Sequence, residues 1–161
     1  MEISFDQLEV FAQLTIALIL GAILGLERLI AGKDAGMRTF GIVSIASCLF
    51  VIVGNLVAYH HQSVFNFDPL RLASAIVTGI GFLGAGLIIF QHELKGLTTA
   101  AVLWAASAIG VAVGFKLYMV ATFATFLILF VCVGIWYIEH FLEERIAYER
   151  DIRSRSHTRH L

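Results

Sequence analysis

Charged residues divide this chain into five uncharged, mostly apolar runs: Val10–Leu26, Thr39–Tyr59, Leu72–Phe90, Gly96–Phe115 and Leu117–Ile138, of 17, 21, 19, 20 and 22 residues. A helix crossing the hydrocarbon core of a bilayer needs roughly 20 apolar residues, with about 17–25 tolerated. Each run therefore predicts one spanning helix. A surface helix of a soluble domain would carry a polar stripe opposite its apolar one, and these runs have none. The expected fold is all-α: a polytopic membrane bundle of five transmembrane helices, over about 10–27, 39–59, 71–90, 96–115 and 117–138, forming one domain over residues 1–138. Beyond it, residues 139–161 interleave Phe141, Leu142, Ile146 and Ile152 with Glu143, Glu144, Arg145, Glu149 and Arg150. Glu149/Arg153 and Asp151/Arg155 stand at i,i+4 in the favourable order. This tail reads as a short cytoplasmic amphipathic helix continuing from span five, and either a solubilising end or a docking surface is open to it.

Composition narrows the class. Of 161 residues, 59% are apolar and 14% charged, against about a quarter charged in soluble domains. A formal net charge of -1 offers no basic footprint for nucleic acid. The first nine residues hold three acids and neither Lys nor Arg, unlike a secretory signal peptide. Cys48 and Cys132 fall inside spans and read as small apolar residues. Basic residues give an orientation. Arg28, Lys33, Arg38, Lys95 and five tail arginines collect on one side, nine in all, against Arg71 and Lys116 on the other. The excess marks the cytoplasmic side, which puts the N-terminus outside and the C-terminus in the cytoplasm.

Helices in lipid associate through small residues that let backbones approach. Gly21-Ala-Ile-Leu-Gly25 and Gly110-Val-Ala-Val-Gly114 both have GxxxG spacing. In span four, Thr99, Ala106, Gly110 and Gly114 share a face that predicts an interhelical seam. Span five, with Phe123, Phe126, Leu127, Ile128, Leu129 and Phe130, is the expected lipid-facing helix. Span three holds Thr78-Gly-Ile-Gly-Phe-Leu-Gly-Ala-Gly86. Its Gly79-x-Gly81-x-x-Gly84 matches a dinucleotide fingerprint, but that fingerprint needs a preceding strand in a soluble βαβ unit. Two membrane readings stay open: tight helix crossing, or a broken helix whose freed backbone lines an ion or substrate site.

Ionisable groups at span ends are site candidates because they are costly there. Glu27-Arg28 closes span one and Lys33-Asp-Ala-Gly-Met-Arg-Thr39 opens span two. A tight turn at Gly36 would let Arg38 face Glu27 in a charge-assisted pair. On the other side, Asp68-Pro-Leu-Arg71 suits a helix start, with Asp68 as N-cap and Pro69 in the first turn. Ser44, Ser47 or Cys48, Val51 and Asn55 fall on one side of span two, which must face protein or water. Magnesium takes one or two carboxylates and keeps several waters. Asp68 and Glu27 are the weak metal candidates, and the topology places them on opposite membrane faces. His60-His61 and His157-x-x-His160 have no Cys or acidic partners at ligand spacing and read as solvated histidines. No nucleophile, base and orienting group form a catalytic set.

Taken in order, Gly25-Leu-Glu-Arg28, Ala35-Gly-Met-Arg-Thr39, Asp68-Pro-x-Arg71, the glycine run Thr78 to Gly86, and Lys95-Gly-Leu-Thr-Thr-Ala-Ala101-Val-Leu-Trp104 resemble the MgtC/SapB family of bacterial inner-membrane proteins. The resemblance covers roughly residues 20–115. It implies a five-span inner-membrane protein from a family linked to growth at low magnesium and to survival inside host cells. For the family's namesake it implies restraint of the rotary ATP synthase. The family pattern marks Glu27, Arg28, Arg38, Thr39, Asp68, Arg71, Gly79, Gly81, Gly84, Gly86, Gly96, Thr98, Thr99 and Trp104, and Thr78 joins them as the start of the glycine run. Where family members often carry His after the Arg-Thr pair, this chain has Phe40, so a proton or metal role lapses there. A chain of 161 residues has no room for the namesake's soluble C-terminal domain, which points to the short, SapB-like form.

Two functions are expected from these readings. One is a non-enzymatic regulator of partner membrane proteins in magnesium or ion homeostasis or membrane energetics. The other is a small oligomeric magnesium or proton transporter or channel, with its site near Asp68, Arg71 and the glycines of span three. The expected partners are the lipid bilayer, further copies of the chain and another inner-membrane protein, with no nucleic acid. No cofactor is expected beyond magnesium itself.

Overall fold

A computed structural model describes residues 7–60, 68–91, 93–135 and 137. Five helices long and apolar enough to cross a membrane follow one another: α1 (Gln7–Ile30), α2 (Met37–His60), α3 (Pro69–Leu87), α4 (Leu97–Gly114) and α5 (Tyr118–Phe130), the last continued by a π-helical turn over Val131–Ile135. The uncharged runs locate all five. The tail helix expected over residues 139–161 lies outside the described residues.

Local chemistry sets the helix ends. Asp68 caps α3, accepting a bond from the Leu70 N–H at 2.9 Å, and Pro69 supplies the fixed φ of a first helical residue. α1 ends at Gly32, whose φ of 68° carries the chain out of the helix. There the Lys33 N–H donates to the Arg28 carbonyl and the Gly32 N–H to the Leu29 carbonyl, a paired closure that favours glycine. α4 closes in the same way, with Leu117 donating to Ala112 and Lys116 to Val113. Here the left-handed residue is Lys116, with φ 63°. Its ammonium pairs with Glu9 at 2.8 Å, so a side chain that ties α1 to the α4–α5 turn stands where glycine would be easiest.

Span three departs from expectation at its end. Helix α3 stops at Leu87 rather than Phe90, and Ile89–Gln91 pairs antiparallel with Glu93–Lys95 as a two-stranded ribbon, β1 and β2, with Ile89 opposite Lys95. Ile88, Ile89 and Phe90 are β-branched or aromatic and suit a pleated segment as well as a helix. Gly96 (φ 89°) closes the ribbon onto α4, where an added Cβ would collide with the Leu87 carbonyl. The all-α bundle thus carries one small β-hairpin between α3 and α4.

The helices run up and down. α4 sits at the centre, in contact with α1, α2, α3 and α5. The tightest packing joins α1, α2 and α4 around Ala17, Leu24, Phe40, Cys48, Leu103 and Ala106. Helix α5 exposes Phe123, Phe126, Leu127 and Phe130, as expected of a lipid-facing helix, while Ile128 and Leu129 pack partly onto the core. The most open helix is α3, however, with 6% of its span buried against 11% for α5.

Candidate functional site

Four glycines draw the three central helices into backbone contact. A Cβ on Gly21 would lie 2.7 Å from the Phe40 carbonyl oxygen, and one on Gly25 would lie 2.6 Å from the Cα of Met37. A Cβ on Gly110 would overlap the Ser44 carbonyl, and one on Gly114 would meet the Val51 Cβ at 2.6 Å. The two GxxxG sequences are the crossing points of α1 on α2 and of α2 on α4. With Gly110 and Gly114, Thr99 and Ala106 are buried along the predicted seam of α4.

Polar groups in that core are matched to one another. Ser47 and Ser107 bond hydroxyl to hydroxyl at 2.8 Å across α2 and α4. The side-chain amide of Gln13 donates to the carbonyls of Val113 and Gly114, both at 3.1 Å. The Gly114 carbonyl is one of the acceptors that the end of α4 leaves open, while the Val113 carbonyl also accepts from the Lys116 N–H. Sequence reasoning passed over Gln13; the signal was an amide alone in an otherwise apolar stretch of span one. Thr125 turns its hydroxyl back to the Ala121 carbonyl. Among the described residues, the Ser44 hydroxyl is the buried side-chain polar atom without a partner. Ser44, Ser47, Cys48 and Val51 are all buried, so that side of α2 faces protein.

The charged candidates separate into two ends. At the α1–α2 turn, Arg28 pairs with its neighbour Glu27 through two bonds, Nε to one carboxylate oxygen and Nη2 to the other at 2.6 Å. Their side chains are 5% and 13% exposed, close to Cys132 in the π-helical turn of α5. The expected Glu27–Arg38 pair does not form. Phe40, Val43 and Ser44 turn inward, which leaves Arg38 and Thr39 exposed on the outer side of the first turn of α2. The turn is instead fixed by the seating of Gly25 on Gly36 and Met37.

Asp68 and Arg71 stand at the opposite end of the bundle. Asp68 is engaged as the helix cap, both residues are exposed, and no ion pair joins them among the described residues. Asp68 and Glu27 therefore do not share a site, and Glu27 is already neutralised by Arg28. The two carboxylates do not fit one resident magnesium ion. Among the described residues, no three of His, Cys, Asp and Glu come together. His60 ends α2 and bonds the Leu56 carbonyl; the other three candidate histidines lie outside the described residues.

Helix α3 is continuous through residues 79–86, so the broken-helix reading of the glycine run is overturned. Of the four glycines, Gly84 alone is buried against another helix, and there a Cβ would lie at an ordinary contact distance, 3.8 Å from the Ala100 Cβ. Gly79, Gly81 and Gly86 have open space where a side chain would be. Thr78 is exposed and donates to the Ser74 carbonyl at 2.8 Å. On α4, Thr98 and Trp104 are exposed, and Thr99 is buried.

The sequence finds a match among known families. The MgtC family model matches residues 14–141. The chain belongs to the MgtC family. Protein SapB of Bacillus subtilis is 35% identical over 153 residues, covering 91% of this chain and 65% of that protein. The putative magnesium transporter YhiD of Escherichia coli K12 is 38% identical over 130 residues, 74% of this chain and 59% of its own length. Protein MgtC of Brucella abortus is 40% identical over 114 residues, 70% of this chain and 45% of its own length. This family member thus spans about half to two thirds of the length of these relatives. No solved structure matches it. With five membrane-length helices in a bacterial family, it is a multi-pass bacterial membrane protein.

Proposed function

We propose that this MgtC-family protein is a non-enzymatic regulator of partner membrane proteins, acting in magnesium and ion homeostasis or in the adaptation of membrane energetics. The observation that carries this reading is the contact of backbones at the centre of the bundle. Gly110 rests on the Ser44 peptide, Gly21 on Phe40 and Gly114 on Val51, and Ser47, Ser107 and Gln13 are hydrogen-bonded within the core. Glycine crossings of this kind build a close-packed scaffold, and the scaffold leaves α3 and the exposed rows of α5 to meet partners. Exposed charges stand at the two ends of the bundle: Lys33 and Arg38 at one, Asp68 and Arg71 at the other. The side bearing Lys33, Arg38 and Lys95 faces the cytoplasm under the positive-inside rule, with the N-terminus outside.

A second reading is a small oligomeric transporter with magnesium or protons as cargo. It is favoured by the name of YhiD, a putative magnesium transporter at 38% identity. Its path would run along Asp68, Arg71 and the open glycines of α3, between copies rather than through the sealed centre. Purified protein in liposomes separates the two readings. The regulator gives no magnesium or proton flux above empty liposomes and co-purifies with a membrane partner. Saturable flux lost in both Asp68→Asn and Gly81→Leu establishes the transporter.

A further inference from the structure

The least hydropathic of the five spans is also the least buried. A helix facing lipid should be the reverse, apolar on its open side, as α5 is. On α3 the side turned away from the bundle carries Arg71, Ser74 and Thr78, all exposed. At about 100° per residue, these three fall with Phe82 and Ala85 in an arc of roughly 80°, opposite the Ile80 that packs on the core. Arg71, exposed in the first turn of the span, has no carboxylate partner among the described residues.

The same side has a shape. Phe82 is 83% exposed, and its neighbours one turn away are Thr78, Gly79, Ala85 and Gly86. A protruding ring is thus surrounded by residues no larger than threonine, and the two glycines have nothing within 4 Å. Knob and hollow on one face are what a two-fold interface requires, because each copy must supply both halves of the contact. Charge follows the same rule. Arg71 lies seven residues, ~10 Å along the axis, from Thr78. At a crossing near 20° the axes diverge by only about 4 Å over that distance, within the reach of an arginine. The residue it would meet on a symmetry-related helix is Asp68, which spends one carboxylate oxygen on its cap.

We infer that α3 is a self-association surface: a second copy of this chain packs its α3 against this one about a two-fold axis along the membrane normal. Each Phe82 enters the hollow around Gly79 and Gly86 of the other helix, and each Arg71 meets the other copy's Asp68. The pairing explains why the most polar span is left on the outside; because it fills the glycine hollow and pairs Asp68 with Arg71, it sits with the regulator rather than with a path between copies.

The test is oxidative cross-linking of the full chain in native membrane vesicles, with Cys48 and Cys132 replaced by alanine and one cysteine introduced at a time. Ala75→Cys and Ala85→Cys should give a disulfide-linked dimer, and Phe123→Cys on α5 little or none. Adding Phe82→Ala, Gly79→Leu or Arg71→Glu should lower the Ala85→Cys dimer yield at least several-fold. Absence of a dimer from both α3 positions, equal yield from Phe123→Cys, or a cross-link to a protein of different mass would overturn the inference. Flux in liposomes is a separate readout, so failure here and failure of the functional proposal are distinguishable.

Discussion

The main chain of Ser44 lies directly on Gly110, so close that a methyl group on the glycine would occupy the space of the Ser44 carbonyl oxygen. This contact joins α2 to α4, and Gly21 presses on the same stretch of α2 from the side of α1. At Gly110 backbone meets backbone, and Gly21 seats α1 on the Ser44 Cβ and the Phe40 carbonyl. Dispersion and weak Cα–H···O contacts do there what the hydrophobic effect does in water.

Gly110→Val should therefore be far more harmful than a change at a glycine that faces open space. Overpacking a dense core costs about 1–3 kcal/mol, and the obstacle at Gly110 is backbone, which cannot rotate aside. Gly81→Ala meets nothing within 4 Å and gains roughly 1 kcal/mol of helix propensity. Thermal unfolding in detergent should show Gly110→Val strongly destabilised and Gly81→Ala unchanged or stabilised.

The Glu27–Arg28 pair is largely buried. Removing one member of a buried pair costs about 3–5 kcal/mol, because the other is left uncompensated, whereas an apolar pair of similar volume is often tolerated. Glu27→Gln and Arg28→Met should each destabilise more than Glu27→Leu and Arg28→Met combined. A double-mutant cycle in detergent unfolding reads this directly. Equal costs that simply add would mean that the two charges are solvated and independent.

Gln13 holds the end of α4 with two amide bonds. Gln13→Leu keeps the bulk and takes the donor from the Gly114 carbonyl, while the Val113 carbonyl keeps its bond from Lys116. A loss of about 1–3 kcal/mol is expected, from the cost of a buried group deprived of its partner. Gln13→Glu should be at least as damaging, since a carboxylate cannot donate to a carbonyl. Unfolding titrations of the two variants check this.

The orientation has its own readout. Lys33→Cys and Lys116→Cys lie at opposite ends of the bundle and are exposed in the wild type. A membrane-impermeant maleimide applied to intact cells should label Lys116→Cys, and label Lys33→Cys only after the cells are opened. The reverse pattern would invert the topology.

The five spans were legible because lipid imposes a length and forbids charge, and both constraints are written in runs such as Thr39 to Tyr59. The seam of α4 was legible too, because Thr99, Ala106, Gly110 and Gly114 recur at helical spacing and small residues in lipid mean contact. Position relative to neighbours was harder to read. Glycine density in α3 suggested burial or a break, yet only Gly84 touches another helix; composition does not say whether the partner of a small-residue face lies within the chain. Arg38 was misplaced because a helix turns about 100° per residue, and the inward placement of Phe40 and Ser44 carries Arg38 outward. Glu27 found the nearer cation, Arg28. The apolar run Leu72 to Phe90 hid its own end, since Ile89 and Phe90 serve a strand as readily as a span.

Cys48 gives the most direct test of the sealed centre, because it is fully buried between Ser44, Ser47 and Val51 on the α4-facing side of α2. The protein with Cys132→Ala, in its native membrane, can be treated with a small positively charged methanethiosulfonate from each side, with and without magnesium. A closed α1–α2–α4 core predicts no modification of Cys48 from either side until the protein is unfolded. Modification of the folded protein, especially if magnesium slows it, would place an aqueous path through the centre of the bundle and contradict the account.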